Sequence, residues 1–206
     1  MTTDDDIMEA TFAALCKHGY ADLTMQSIAD EFEKSKSLLH YHYDSKEDLI
    51  VSFMEHLLEN FLREFDEDSE ADPMEQLLRM TEIVVEGDDS EGPDDVHMAL
   101  LGLRAQAPYD EALRAQQVHN DRHIRDLIAD IVREGIEQGQ FRDDVDPERF
   151  AAVFRSAIEG AQSHDVILGE DAPTEVALAG IEEYLLERLL VEGESLVDDE
   201  MAASGD

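Results

Sequence analysis

Residues 23–49 read LTMQSIADEFEKSKSLLHYHYDSKEDL, and the way this stretch caps its helices decides the fold. Thr24 stands where a hydroxyl can cap a short helix, with Gln26 and Ser27 in its first turn and Ile28, Ala29 and Phe32 supplying its buried face. Ser35 can cap a second short helix that runs to about Tyr43. Ser45, followed three residues later by Asp48, resembles a capping box, and it opens a longer helix with Leu49, Phe53, Leu57 and Phe61 inward. Two short helices joined by a tight turn, the second beginning with Ser and Lys and carrying His and Tyr, form a helix-turn-helix pattern. In that arrangement the first helix crosses a phosphate backbone and the second enters the major groove.

Charge supports the same reading. The chain has 206 residues and a formal net charge of −37, from 52 acids against 15 bases. All of its lysines, Lys17, Lys34, Lys36 and Lys46, lie in residues 17–46, and the remaining bases are arginines that begin at Arg63. That stretch is close to neutral, with Asp22, Asp30, Glu31, Glu33 and Asp44 opposing the lysines. A surface that approaches a polyanion cannot carry the acidic coat found elsewhere, because affinity for phosphate comes from Lys and Arg. The coat itself suits a cytoplasm of molar salt, where a Debye length of ~3 Å screens the self-repulsion.

With 43% hydrophobic residues and no Trp, the chain can build a core from Leu, Ile, Val, Ala and Met. Cys16 is its only cysteine, which excludes an intrachain disulfide and a cysteine zinc site and fits a core thiol. No apolar run approaches the roughly 20 residues that span a bilayer, and the acidic start MTTDDDIMEA is unlike a signal peptide. The expectation is a cytoplasmic protein without a membrane partner.

Outward from the opening stretch, the periodicity is helical throughout. Ile7, Thr11, Phe12 and Leu15 share a face of a helix over about 4–18 that Gly19 closes. Pro73 precedes a helix over 74–86; EGDDSEGPDD reads as a polar loop; helices follow over about 95–106 and, after Pro108, about 109–138, ended by Gly139. Phe150, Val153, Phe154, Ala157, Ile158 and Ala161 form one apolar stripe, and Val176, Gly180, Ile181, Tyr184, Leu185 and Leu189 another. Such stripes can pack on the core or on a second subunit. The expected fold is all-α with about nine helices: a helix-turn-helix three-helix domain over 1–48, a helical ligand-binding and dimerisation domain over 49–193, and an acidic tail over 194–206.

The same residues, together with ALCKHGYADLT before them, resemble the N-terminal domain of TetR-family transcriptional regulators. Gly19, Thr24, Ile28, Ala29, Ser35, Leu39, His42 and Lys46 match the family pattern, and GQFRDDVDPERFAAVFRSAIEGAQ is similar to the entry to its penultimate, dimer-forming helix. The sequence departs from the pattern at Glu33, where the turn Gly is usual, at Lys34 for Val, at His40 for a phosphate-holding Tyr, at Tyr43 for Phe, and at Leu38, where a small residue is common. The resemblance implies Thr24, Gln26, Ser35, Lys36, His40 and Lys46 as phosphate-side contacts and Ser37, Leu38 and Tyr41 as base-facing residues. It also implies operator DNA as partner, a homodimer whose interface includes Phe150, Phe154, Ile158, Ile181, Tyr184 and Leu185, and a small-molecule effector of unstated chemistry. Pocket candidates are Met80, Met98, Leu101, His123 and Phe154.

His119 and His123 are spaced i, i+4, which can chelate a divalent metal, with His97 a candidate neighbour, but no third fixed ligand is identifiable, so neither metal nor cofactor is expected. His164 and Asp165 can form a polar contact beside the dimer face. The sequence has no Gly-rich phosphate loop after a strand, no nucleophile elbow and no metal-hydrolase pair, so an enzyme is not expected. The competing reading is an acidic interaction module that mimics DNA.

Overall fold

Helix ends fall where side chains satisfy the backbone. The computed structural model describes residues 3–32, 36–67, 71–86 and 93–191. The positions at 33–35, including Glu33, Lys34 and Ser35, and the 194–206 tail lie outside the described residues. Among the described residues the chain forms nine α-helices: α1 Thr3–Asp22, α2 Met25–Glu31, α3 Lys36–His42, α4 Lys46–Glu67, α5 Pro73–Glu86, α6 Pro93–Gln106, α7 Glu111–Glu137, α8 Pro147–Leu168 and α9 Thr174–Ile181.

Local chemistry explains most boundaries. Asp48 N donates to Ser45 Oγ at 3.1 Å, opening α4 as the sequence predicts. Asp146 caps α8 by accepting from Arg149 N, with Pro147 in the first turn. Gly139 follows α7 with a φ of 77°. Two ends differ from the sequence reading. The first helix runs beyond Gly19, which kinks it at φ 66° and ψ 166°, and α7 starts after a 3₁₀ turn at Ala107–Tyr109, where Asp110 accepts from the amides of Ala112 and Leu113. Beyond α9 the chain winds on through a wide i→i+5 turn at Glu182–Leu186 and a tight one at Glu187–Leu189, so the last apolar stripe does not lie on one regular helix.

By packing, the chain divides into two units. The first holds α1 to α4, α6 and the start of α7 as far as Arg122; the second holds α5, the rest of α7, α8 and α9. The core of the first joins Ile7, Leu15, Ile28, Leu39, Leu49, Phe53, Leu103 and Leu113, with Cys16, Leu38 and Tyr43 packed against it. Asn120 Nδ2 ties α7 to the Met54 carbonyl of α4 at 3.1 Å.

In the second unit α8 packs on α9 and on α5. Phe141, 2% exposed, lies so close to Gly135 of α7 that a Cβ there would stand 2.2 Å from its ring. A short antiparallel bridge, which the sequence reading does not contain, pairs Phe141 with Leu190; Arg142 N donates to Leu189 O at 2.8 Å and Val191 N to Gln140 O at 3.3 Å. Gln140 Nε2 also donates to both carboxylate oxygens of Asp72, which caps α5. Arg133 joins Asp130 to Glu148.

Candidate nucleic-acid interface

The helix-turn-helix is built from its caps upward. At the start of α2, Ser27 N donates to Thr24 Oγ1 at 3.0 Å and Thr24 N to Ser27 Oγ at 2.9 Å, a reciprocal capping box. Ile28 is fully buried beneath it and Phe32 ends the helix in an extended conformation. The next helix, α3, has the sequence KSLLHYH and no acid at all, in a chain that has 52. Leu39 is fully buried and fixes its inward side, which leaves Ser37, His40 and Tyr41 exposed on the opposite side, Tyr41 by 83%. These are types that reach base edges and phosphates.

Other expected contacts are partly committed to the protein. Thr24 is exposed but its hydroxyl serves the cap, and Gln26 donates to Asp30. Leu38 is half-buried against the core. Ser35 and the Lys36 side chain lie outside the described residues; the backbone of Lys36 opens α3. Lys17 donates to Glu31 at 2.6 Å, and this pairing holds its ammonium above the usual lysine range. Lys46 is half-buried, with Nζ 3.3 Å from the Tyr20 carbonyl and 4.3 Å from the centre of the Tyr20 ring. His42 Nδ1 lies 3.5 Å from Asp4 at the start of α1. The sequence reading missed all three lysine and histidine attachments, because their partners lie on other helices and no spacing rule announces them.

The pocket candidates do not share one setting. Met80 and Phe154 are buried in the second unit, Leu101 is half-buried and Met98 55% exposed in the first, and His123 is exposed on α7. His119 is also exposed and His97 is buried; among the described residues no group of three or more His, Cys, Asp or Glu is placed to hold a metal. Of the interface candidates, Phe154, Ile158 and Ile181 are buried within the chain itself, Phe150 stacks on Phe154 at 5.4 Å, Leu185 is half-buried and Tyr184 is exposed. The apolar side chains that α8 and α9 do expose include Val153, Ile167, Leu168 and Val176. Asp165 accepts from the Thr174 hydroxyl at 2.6 Å. Among the described residues no helix is long and apolar enough to cross a membrane.

Comparison with known proteins accords with this geometry. The family described as bacterial regulatory proteins, tetR family, matches residues 7–53, and that described as the C-terminal part of BetI-type transcriptional repressors matches residues 73–190. A TetR transcription regulator from Haloarcula marismortui ATCC 43049 is similar at 36% identity, over 92% of this chain and 98% of that one, with a TM-score of 0.79. A transcriptional regulator from Saccharomonospora viridis in complex with choline shares the fold at 21% identity, covering 92% and 98% of the two chains, with a TM-score of 0.75. The regulator FadR from Bacillus subtilis in complex with stearoyl-CoA shares it at 18% identity, covering 93% and 99%, with a TM-score of 0.72. No curated protein matches the sequence.

Proposed function

The chain belongs to the TetR family of transcriptional regulators, and from that premise we propose that it is a homodimeric repressor released from a palindromic operator by a small molecule. The observation that carries the reading is the acid-free α3, with Ser37, His40 and Tyr41 turned outward. In the proposal these residues and Lys36 meet DNA, and Thr24 and Gln26 flank the phosphates. Residues 1–48 act as the reading head and 49–193 as the sensing and dimerising part.

A two-fold dimer presents two such heads to half-sites about 34 Å apart. We place its interface on the outward face of α8, where Val153, Gly160 and Ile167 recur at i, i+7 and i+14, and on Val176 and Tyr184 of the last helical stretch. A Cβ at Gly160 would meet nothing within 4 Å, which leaves room for a second helix to approach. Phe154, Ile158 and Ile181 support this face from within.

The effector is assigned to the second unit, where α5 and α8 pack together and bury Met80 and Phe154. Two structural neighbours hold choline and stearoyl-CoA. Ligands so different show that the shared fold leaves effector chemistry open. Splaying of the heads by a few ångströms on effector binding removes the half-site match. The acid coat is read as salt adaptation, the working place as the cytoplasm, and the role as regulation rather than catalysis.

Recovery of crosslinked DNA from cells with the full chain tests the proposal, with Lys36→Ala/Tyr41→Ala as control. Sharp peaks over palindromic sites, lost in the double variant, are expected. Equal recovery of both forms at the same sites would sink base reading by α3, and no enrichment of either would favour the acidic interaction module.

A further inference from the structure

All of α2 and α3 lies between Tyr20 and Lys46, and these two residues touch. Tyr20 is in the last turn of α1, just past the Gly19 kink and four residues before the Thr24 cap; Lys46 is the first residue of α4, four residues after α3 ends. The Tyr20 carbonyl accepts from Leu23 N at 3.3 Å and from Lys46 Nζ at 3.3 Å. The same ammonium sits over the Tyr20 ring, 4.3 Å from its centre. Burial pushes the Tyr20 phenol up, with Asp110 and Glu47 adding to it. The ring is therefore a half-buried, neutral platform for the cation.

We infer that Lys46 is a positioning residue: hydrogen-bonded to the Tyr20 carbonyl and held over the Tyr20 ring, it clasps the two ends of the helix-turn-helix together and so sets the pose in which α3 meets DNA. The clasp spans 26 residues and closes a loop that contains both short helices. Neither helix is long enough to be stable alone, since each has seven residues and isolated helices below ~12 are marginal. Thr24 and Ser27 fix the start of α2, Leu39 fixes α3 on the core, and the clasp fixes where α3 hands over to α4. A half-buried ammonium with a carbonyl and a ring on it is a poorer phosphate ligand than a free one, because leaving the clasp to meet DNA forfeits both partners. Lys17 has a different task, as its pair with Glu31 is a surface one.

The two roles open to Lys46 differ in salt response. Removing a cation that binds a phosphate lowers the slope of log K against log salt by about 0.9 in magnitude, whereas removing one that only positions α3 weakens binding at every salt and leaves the slope unchanged. The probe is a fluorescein-labelled duplex selected from a random library by the full chain, titrated by anisotropy across a KCl series. Lys46→Met and Tyr20→Leu are each expected to weaken binding about tenfold with unchanged slope, and the double variant to bind no more weakly than the worse single. Amide exchange over α2 and α3 in the DNA-free variants should quicken while total helix content holds. A slope lowered by about 0.9 in Lys46→Met, with Tyr20→Leu binding like the unaltered chain, would overturn the clasp and make Lys46 a phosphate ligand. Affinities unchanged in both singles, or effects that add in the double, would overturn it as well. If Lys46→Met fails to fold, Lys46→Arg with and without Tyr20→Leu carries the test: a gap of about tenfold is expected, and no gap refutes the ring's part.

Discussion

Replacing Gly135 by alanine sets helix propensity against packing, and the structure says which wins. In a helix interior this change ordinarily stabilises by about 0.5–1 kcal/mol, because glycine loses more backbone freedom on folding, and Gly135, in the last turn of α7, would gain at most that. Here the new Cβ would stand 2.2 Å from Phe141 Cδ2, 2.4 Å from Cε2 and 2.8 Å from Cγ. Carbon atoms need about 3.5 Å, so the ring must retreat by more than ~1 Å. It has little freedom to do so: Phe141 N donates to the Gly135 carbonyl at 3.0 Å, and Phe141 pairs with Leu190 across the bridge. Forcing a methyl into such a space costs about 1–3 kcal/mol, and expelling the ring would forfeit a burial term of similar size. The net expectation for Gly135→Ala is a loss of about 0.5–2 kcal/mol. For a chain of this size that lowers the melting temperature by about 1–8 °C. Thermal and urea unfolding followed by circular dichroism at high KCl measures it, with Phe141→Leu and the double variant completing a cycle. The double should be less destabilised than the two singles summed, since the smaller side chain makes room for the methyl. A melting temperature raised by Gly135→Ala, as propensity alone predicts, would refute the reasoning.

Three further outcomes concern the reading head and the charge. Thr24→Ala removes the reciprocal cap of α2 and is expected to cost about 1 kcal/mol of local stability, read as faster amide exchange at Ser27 and Ile28 and several-fold weaker DNA binding; protection unchanged at those amides would show that the cap is dispensable. Tyr41→Ala should leave the melting temperature nearly unchanged, because the residue is 83% exposed, yet cost about 1–3 kcal/mol in discrimination between the selected duplex and a scrambled one; a destabilised protein with intact discrimination would place Tyr41 in the fold instead. DNA affinity should depend weakly or inversely on KCl between about 0.1 and 2 M, since the acidic flanks repel DNA most at low salt, and a steep conventional loss would remove the case for salt adaptation.

What could be read from the sequence was what neighbouring residues do for one another. The Thr24 cap, the Ser45 and Asp48 pair and the Gly139 stop each act within three or four residues, so the helices they bound were legible, and with them the helix-turn-helix. A stripe of apolar residues carries a weaker message. It says that a face is covered, and it is silent on whether the cover is the same chain or another. Phe154, Ile158 and Ile181 answer that question one way, buried in their own unit, while Val153, Ile167 and Val176 on the same helices stay exposed. Only the folded chain separates the two sets, and the residues left over are the ones from which an interface can be argued. The lysines teach the same lesson in charge. Their crowding into residues 17–46 marked a segment kept nearly free of net acid, but individual assignments did not follow, because Lys17 meets Glu31 on another helix and Lys46 meets Tyr20 across the whole motif. Composition can show where a surface was kept free of acid. It takes the long-range contacts to show which of its cations are already paired within the chain.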